Sequence, residues 1–384
     1  MGIEKEVEIW YAMRATYRRE PDAMHLLKKE NLGCFIPMQY KICIKKRKKV
    51  RALVPVVHNL LFVHARPSDV QRVKSQVTYL QYITDTRSGQ KIIVPDGQML
   101  ALSMFDYKEL VKPIPYYPIE AIKDSNFYGQ AYALKQYSGV NKFGWSIEHG
   151  LYVDDYVPMA AWCKTTKRIM TFSNIRVKGL GSLHKPVIAI GPYIHYAECM
   201  LNSEEMNSLK KELGKTLLFF PTHTCCEGGL EYEIHCMIDE LLELKEKLGF
   251  DTVIVNMYYL DENKNGFGDL YNKAGFKVTT AGHQLDINFL NRLKTIILLS
   301  DYTCSNSIGT HTGYCVYLGK PHLVINPVQT LEEVNPLWRD LWETFEKDSS
   351  QAQVDKRLLA FKYWGFDCVK SREEMRALLI NNGC

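Results

Sequence analysis

A chain of 384 residues with 46% hydrophobic and 24% charged residues has ordinary globular composition and room for two or three domains. Its net charge of +5 averages two unlike pieces, because residues 1–103 carry 18 Lys+Arg against 9 Asp+Glu and the remainder carries 30 against 34. The longest apolar runs, such as Ile296-Ile297-Leu298-Leu299, fall far short of the ~20 residues a bilayer-spanning helix needs, so no membrane span is expected.

The first residues include Glu4, Glu6 and Glu8 and no apolar h-region, which predicts no secretory signal. Eleven scattered cysteines without a C-x-x-C pair fit reduced thiols in a cytoplasm. His223, Cys225, Cys226, His235 and Cys236 cluster, but their spacing matches no common zinc pattern, so no metal is assigned.

Glu8 to Ala15 predicts a strand, and Arg19-Glu20-Pro21-Asp22 predicts the start of a helix with Ala23, Leu26 and Leu27 on its apolar face. Gly33 supplies the stop. Phe35-Ile36-Pro37-Met38 begins the next strand, Tyr40 to Ile44 alternates with period two, and the basic loop Lys45-Lys46-Arg47-Lys48-Lys49 reverses the chain. Val56 to Val63 predicts a buried strand, Ser68-Asp69 caps a helix carrying Val70, Val73 and Val77, and Tyr79–Ile83 and Ile92–Val94 complete a β-α-β-β-α-β order. That order is the ferredoxin-like α+β plan. Pro113, Pro115 and Pro118 then predict an extended connector, with the boundary near 104–106.

Beyond the connector, short apolar runs at Trp145–Ile147, Arg168–Phe172, Val187–Ile190, Thr216–Phe220, Thr252–Val255, Lys277–Thr280 and Thr295–Leu299 predict strands buried on both faces. Helices such as Glu233–Leu248 lie between them, which indicates an α/β region built on a parallel sheet. Ligands in such sheets sit at the strands' carboxyl ends, where this sequence places Glu148-His149-Gly150, Ser173-Asn174, Gly191 to Tyr196, Pro221 to Thr224, Ala281-Gly282-His283 and Ser300 to Gly313. The last of these opens a helix with hydroxyl and amide residues, suited either to a diphosphate or to ordinary capping. The tail, with Leu337, Leu341 and Phe345 and then Leu358, Leu359 and Phe361, predicts packing helices.

Trp10-Tyr11-Ala12, Phe35-Ile36-Pro37, His58 to Val63 and Ile92 to Asp96 together resemble the N-terminal domain of NusG-type elongation factors. Trp10 through Arg19 and Asn59 through Ala65 resemble the UpxY-type antiterminators of polysaccharide operons in particular. The resemblance implies an apolar patch that grips the clamp helices of RNA polymerase, a role that falls to Tyr11, Phe35, Leu60 and Phe62, each of which is equally consistent with plain core. For Lys45, Lys46, Arg47, Lys48, Lys49 and Arg51 a solvated turn and contact with upstream or non-template DNA both stay open. Relatives continue into a small KOW barrel; nothing after Met104 resembles one.

Leu213 to Thr222 and Ser300 through Pro321 resemble the donor half of GT-B glycosyltransferases, near the CDP-glycerol glycerophosphotransferases and polysialyltransferase-like enzymes. This resemblance implies a nucleotide-sugar or CDP-linked donor with no obligatory cofactor, and a polysaccharide acceptor. It assigns Glu148 or His149 as acceptor-side base, and His223, Ser305, Asn306, Ser307, Thr310 and His311 as the residues that hold the donor's phosphates. The segment Tyr107–Ile190 is short for a complete acceptor half.

The expected organisation is a NusG-like domain over 1–103, a linker over 104–118, a small acceptor-side α/β region over 119–190, a donor-binding α/β domain over 191–330 and C-terminal helices over 331–384. The leading expectation is a cytoplasmic fusion of an antitermination domain with a transferase of surface polysaccharide synthesis. The alternatives are a transferase with a vestigial regulator and a regulator that binds a sugar nucleotide without turning it over.

Overall fold

The computed structural model describes residues 6–45, 48–55, 57–94, 99, 110, 127–141, 143–157, 167–223, 233–325 and 336–380, with the backbone alone at 38–45, 48–54, 263–265, 336 and 337. The chain divides into two units, Met1–Ser103 and Met104–Cys384. The expected linker, apart from Leu110, lies outside the described residues.

In the first unit the strand β1 (Ile9–Ala15) runs through the sheet centre, followed by α1 (Glu20–Lys29), β2 (Gly33–Phe35), β3 (Met38–Lys45), β4 (Lys48–Pro55), β5 (Leu60–Ala65), α2 (Pro67–Gln76), β6 (Leu80–Tyr82) and β7 (Ile93–Val94). The sheet order is β2-β5-β1-β6, with β7 also on β1, and β1 is antiparallel to β5, β6 and β7. Strand alternation sorts the side chains onto two faces. Tyr11, Met13, Ala15, Leu61, Val63 and Ala65 face α1 and α2, where Ala23, Leu27, Val70 and Val73 close the core.

Three details differ from the sequence expectation. Among the described residues β3 and β4 pair only with each other, as a two-stranded ribbon whose pairing ends at Lys45 and Lys48. The strand expected from Val56 begins at Leu60, because Asn59 takes a left-handed φ of 67° and turns the chain; Val56 itself is outside the described residues. The second helix starts at Pro67, and Ser68 spends its hydroxyl on Glu6 rather than on a cap.

The second unit holds two parallel sheets. α3 (Gln130–Ser138) precedes β8 (Ser146–Ile147), β9 (Ile169–Thr171), α4 (Asn174–Gly179) and β10 (Val187–Ala189), and these strands pair in the order β10-β9-β8. Next come α5 (Ser203–Leu213), β11 (Thr216–Phe220), α6 (Ile234–Leu248), β12 (Thr252–Asn256), α7 (Tyr259–Asn265), α8 (Phe267–Lys273) and β13 (Lys277–Thr279). The unit closes with α9 (Phe289–Leu299), β14 (Tyr302–Ser305), α10 (Thr310–Tyr317), β15 (His322–Val324), α11 (Pro336–Phe345), α12 (Ser350–Trp364) and α13 (Arg372–Ile380).

The second sheet has the order β13-β12-β11-β14-β15, all parallel. β11, the middle strand, is buried at every residue. α6 covers one face by burying Ile234, Met237, Ile238 and Leu241, each worth roughly 1.5–3 kcal/mol of transfer free energy. The chain winds outward from β11 through β12 to β13 and then returns to β11's other side as β14. The crevice at the carboxyl ends of β11 and β14 is therefore a topological switch point.

Thr295–Leu299, expected as a strand, is instead the end of α9, and the strand is Tyr302–Ser305. A fully buried apolar run has no period to separate helix from strand. The hydroxyls that made Tyr302 to Ser305 look like a loop are satisfied inside: Thr303 Oγ1 and Ser305 Oγ meet His322 Nδ1 and Nε2 at 2.8 and 3.0 Å.

α12 ties the unit together. Trp364, fully buried, donates from Nε1 to Thr310 O at 3.1 Å and lies against Gly313 of α10. A Cβ on Gly313 would stand 2.2 Å from the indole. In an unencumbered helix Gly→Ala stabilises by about 1 kcal/mol, whereas overpacking costs about 1–3 kcal/mol. Gly313→Ala is therefore expected to lower the urea midpoint of unfolding; an unchanged or raised midpoint would show that α12 yields freely.

Candidate functional site

A cleft of 470 Å³ opens in the second unit at the carboxyl ends of β8, β11, β12, β13 and β14. Each strand end delivers a short turn into it. His149-Gly150-Leu151 follow β8, Phe220 to His223 end β11, Asn256 to Tyr258 end β12, Thr280 and Ala281 follow β13, and Ser307 to His311 lead from β14 into α10. α11 adds Trp338 and Trp342, one helical turn apart and so on one face.

The two expected base candidates go to different places. Glu148 is 1% exposed and does not line the cleft. Its carboxylate accepts from Arg176 Nε at 2.9 and 3.1 Å, from Arg176 Nη2 at 2.5 Å and from Thr171 Oγ1 at 2.6 Å. Arg176, itself 2% exposed, also donates to the carbonyls of Asp154 and Tyr156, so this one pair ties the strand end after β8 to α4.

His149, the next residue, is on the cleft wall and solvent-accessible, with its ring 4.9 Å from that of Tyr128 at 25°. Concavity surrounds it with protein even so, and that desolvation holds its pKa below the usual histidine value, with the charge of His223 pushing the same way. The ring of His223 lies 4.4 Å from Tyr258, whose hydroxyl hydrogen-bonds with Tyr128. His149, Tyr128, Tyr258 and His223 thus form one aromatic chain along the wall.

Of the six residues expected to hold phosphates, His223, Ser307, Thr310 and His311 line the cleft. Ser305 and Asn306 lie beneath it. Ser305 Oγ donates to Ser307 O at 2.6 Å, and Asn306 Oδ1 accepts both the backbone N–H and the hydroxyl of Thr222, at 2.6 and 2.8 Å. That bridge joins the ends of β11 and β14 and shapes the switch-point crevice. His311 stacks on Phe220 at 4.8 Å, and burial pushes its pKa down to about 3.

Sequence reading passed over Arg176, Gln130, Asn256, Tyr314 and the two tryptophans. Only Trp338 and Trp342, spaced i, i+4, carried a local signal; the others become visible once the fold places them.

On the first unit the sheet face opposite the helices carries Ala12, Phe62 and Met99, with Trp10, Phe35, Leu60, Ile83 and Val94 half-buried around them. Phe35, Leu60 and Phe62 therefore share this face, with Phe35 and Phe62 stacked at 6.2 Å. Tyr11 does not join them: at 3% exposure it points into the helix-side core, edge-on to Tyr82. Alternation requires this, since Trp10 and Ala12 on either side of it take the opposite face. The backbone of Lys45, Lys48, Lys49 and Arg51 lies on the β3–β4 ribbon near its turn, while Lys46 and Arg47 are outside the described residues, as are Cys225 and Cys226. No helix among the described residues is long and apolar enough to cross a membrane.

Residues 8–103 match the family model described as transcription termination factor NusG. No curated protein matches the chain. Among solved structures it is similar to S. aureus MnaA with UDP, at 12% identity over 66% of this chain and 77% of that one, TM-score 0.34. It is similar also to the wall teichoic acid polymerase TagF, at 15% identity over 57% and 59%, TM-score 0.37. A third is the UDP-GlcNAc 2-epimerase of Neisseria meningitidis bound to UDP-GlcNAc, at 13% over 83% and 89%, TM-score 0.33. These scores lie below the level at which overall similarity fixes a fold.

Proposed function

We propose that this chain joins a transcription elongation or antitermination domain, which binds RNA polymerase, to a cytoplasmic transferase of nucleotide-activated sugar or CDP-linked units for surface polysaccharide. The observation that carries the first half is the NusG family match over 8–103 together with a second apolar cluster, half-buried at Trp10, Phe35 and Leu60, on the side of the sheet away from the helices. Phe35, Leu60 and Phe62 grip the polymerase clamp helices from that face, and Tyr11 supports them from the core. The lysines and arginines of the β3–β4 ribbon reach upstream or non-template DNA by neutralising phosphates.

The second half rests on the cleft. In this reading the donor's phosphates lie at the start of α10, where Ser307 and Thr310 offer hydroxyls, the helix dipole favours an anion, and His223 faces them. Tyr128, Tyr258, Trp338 and Trp342 supply flat apolar surfaces for a base or a sugar ring. His149, kept neutral by its surroundings, takes the proton of the acceptor hydroxyl as that oxygen bonds to the transferred carbon or phosphorus and the nucleotide departs with the bonding pair.

The test is co-purification of RNA polymerase with the full chain, with residues 1–103, and with the full chain carrying Leu60→Glu. A charge in the centre of an apolar contact costs well over tenfold in affinity, so the first two are expected to retain polymerase and the third to lose it. If neither the full chain nor residues 1–103 retains polymerase, the antitermination reading is wrong. A companion chain with Lys45, Lys46, Lys48 and Lys49 changed to Glu is expected to hold an elongation complex more weakly and with a shallower salt dependence.

A further inference from the structure

Among the described residues, four side-chain atoms of residues that line the cleft are buried without a hydrogen-bond partner: Gln130 Oε1, Asn256 Oδ1, His311 Nε2 and Tyr314 Oη. Leaving such an atom unsatisfied costs roughly 1–3 kcal/mol each, so a cluster of four in one cavity marks the place of a bound group.

Their polarity narrows what that group is. The two amide oxygens only accept. His311 is the informative member. One ring nitrogen hydrogen-bonds to the backbone of Ser307, a contact that favours the protonated ring and is therefore an N–H donation to the carbonyl, and Nε2 is the nitrogen without a partner. The donating atom is then Nδ1. Burial among Phe220 and its neighbours keeps the ring neutral, so Nε2 carries a lone pair and also only accepts. Tyr314 Oη, on a 2% exposed residue, can donate or accept.

We infer that the wall formed by Gln130, Asn256, His311 and Tyr314 is a hydrogen-bond acceptor surface that takes the hydroxyl groups of a sugar or polyol. The diphosphate of a nucleotide donor, esterified at both ends, is fully ionised at neutral pH, has no proton to give and leaves three of the four atoms unsatisfied. His311 is thereby moved from the phosphates, where the sequence resemblance put it, to the hydroxyl-bearing part of the ligand. The inference rests on the transferase reading only for what carries that sugar or polyol into the cleft.

The test is 15N NMR of the full-length chain labelled at histidine, with His311→Phe, which keeps a ring against Phe220, used to assign the signal. The expected result at about pH 7 is a neutral ring protonated on Nδ1, whose Nε2 resonance moves with glucose, glycerol or UDP-glucose and stays still with dimethyl phosphate, a phosphodiester without an O–H. A proton on Nε2, a response to dimethyl phosphate, or silence towards every hydroxyl-bearing probe overturns the inference. The same titration separates it from the transferase reading. If glucose moves the signal at the same concentrations as UDP-glucose, the acceptor wall stands and the nucleotide-donor reading falls.

Discussion

Arg176→Met is expected to destabilise the second unit by about 3–5 kcal/mol, because it strands the carboxylate of Glu148 in a site that is 1% exposed. Taking two charges out of water is costly, and here the cost is offset by three guanidinium contacts and the Thr171 hydroxyl on one carboxylate. Remove the cation and only the hydroxyl remains. The double variant Glu148→Gln with Arg176→Met is expected to recover most of the loss, since replacing both partners is often close to neutral. Urea titrations of the two single variants and the double measure this. A single variant that loses less than about 1 kcal/mol would mean that water reaches the pair, contrary to its burial. The pair also has a functional reach. Glu148 N donates to Met170 O and Glu148 O accepts from Tyr193 Oη, so the residue before His149 is fixed at its backbone and at its side chain.

The parallel strands were legible because Val253, Ile254 and Val255, or Leu217, Leu218 and Phe219, are short apolar runs bounded by polar turns, and burial on both faces demands that pattern. The turns after them were legible for the same reason in reverse: a polar residue next to a fully apolar run sits where the sheet ends. What escaped was pairing at a distance. Nothing near Glu148 announces that Arg176, 28 positions on, will occupy its carboxylate, and so an acid beside a histidine looked available for chemistry. Tyr11 failed in a subtler way: its neighbours Trp10 and Ala12 share its apolar character, and only the register with β5 shows which of the three faces the helices. The switch of Thr295–Leu299 from strand to helix has the same root, since Ile296 and Ile297 are both buried and periodicity has nothing to work on.

His149→Ala is expected to lower donor turnover by about 100-fold to 10⁴-fold, the range for loss of a general base, while leaving the fold intact. The fold survives because the ring is accessible and contributes a stacking contact with Tyr128, whereas the turn is held by Glu148 and Arg176. His149→Phe is the sharper variant. It keeps the stack and removes only the proton acceptor, so a loss as deep as that of alanine places the effect in proton transfer rather than in the shape of the wall. The pH dependence gives an independent readout. With its pKa held below 6.5 by burial and by His223, the free-base ring predominates at neutral pH, and turnover is expected to fall as pH drops through that lowered pKa. In His149→Phe the acid limb should disappear along with the rate. Turnover that stays normal in either variant removes His149 from the chemistry, and an acid limb that persists in the residual activity of His149→Phe transfers the proton to another group, of which His223, on the cleft wall in ring contact with Tyr258, is the next to test.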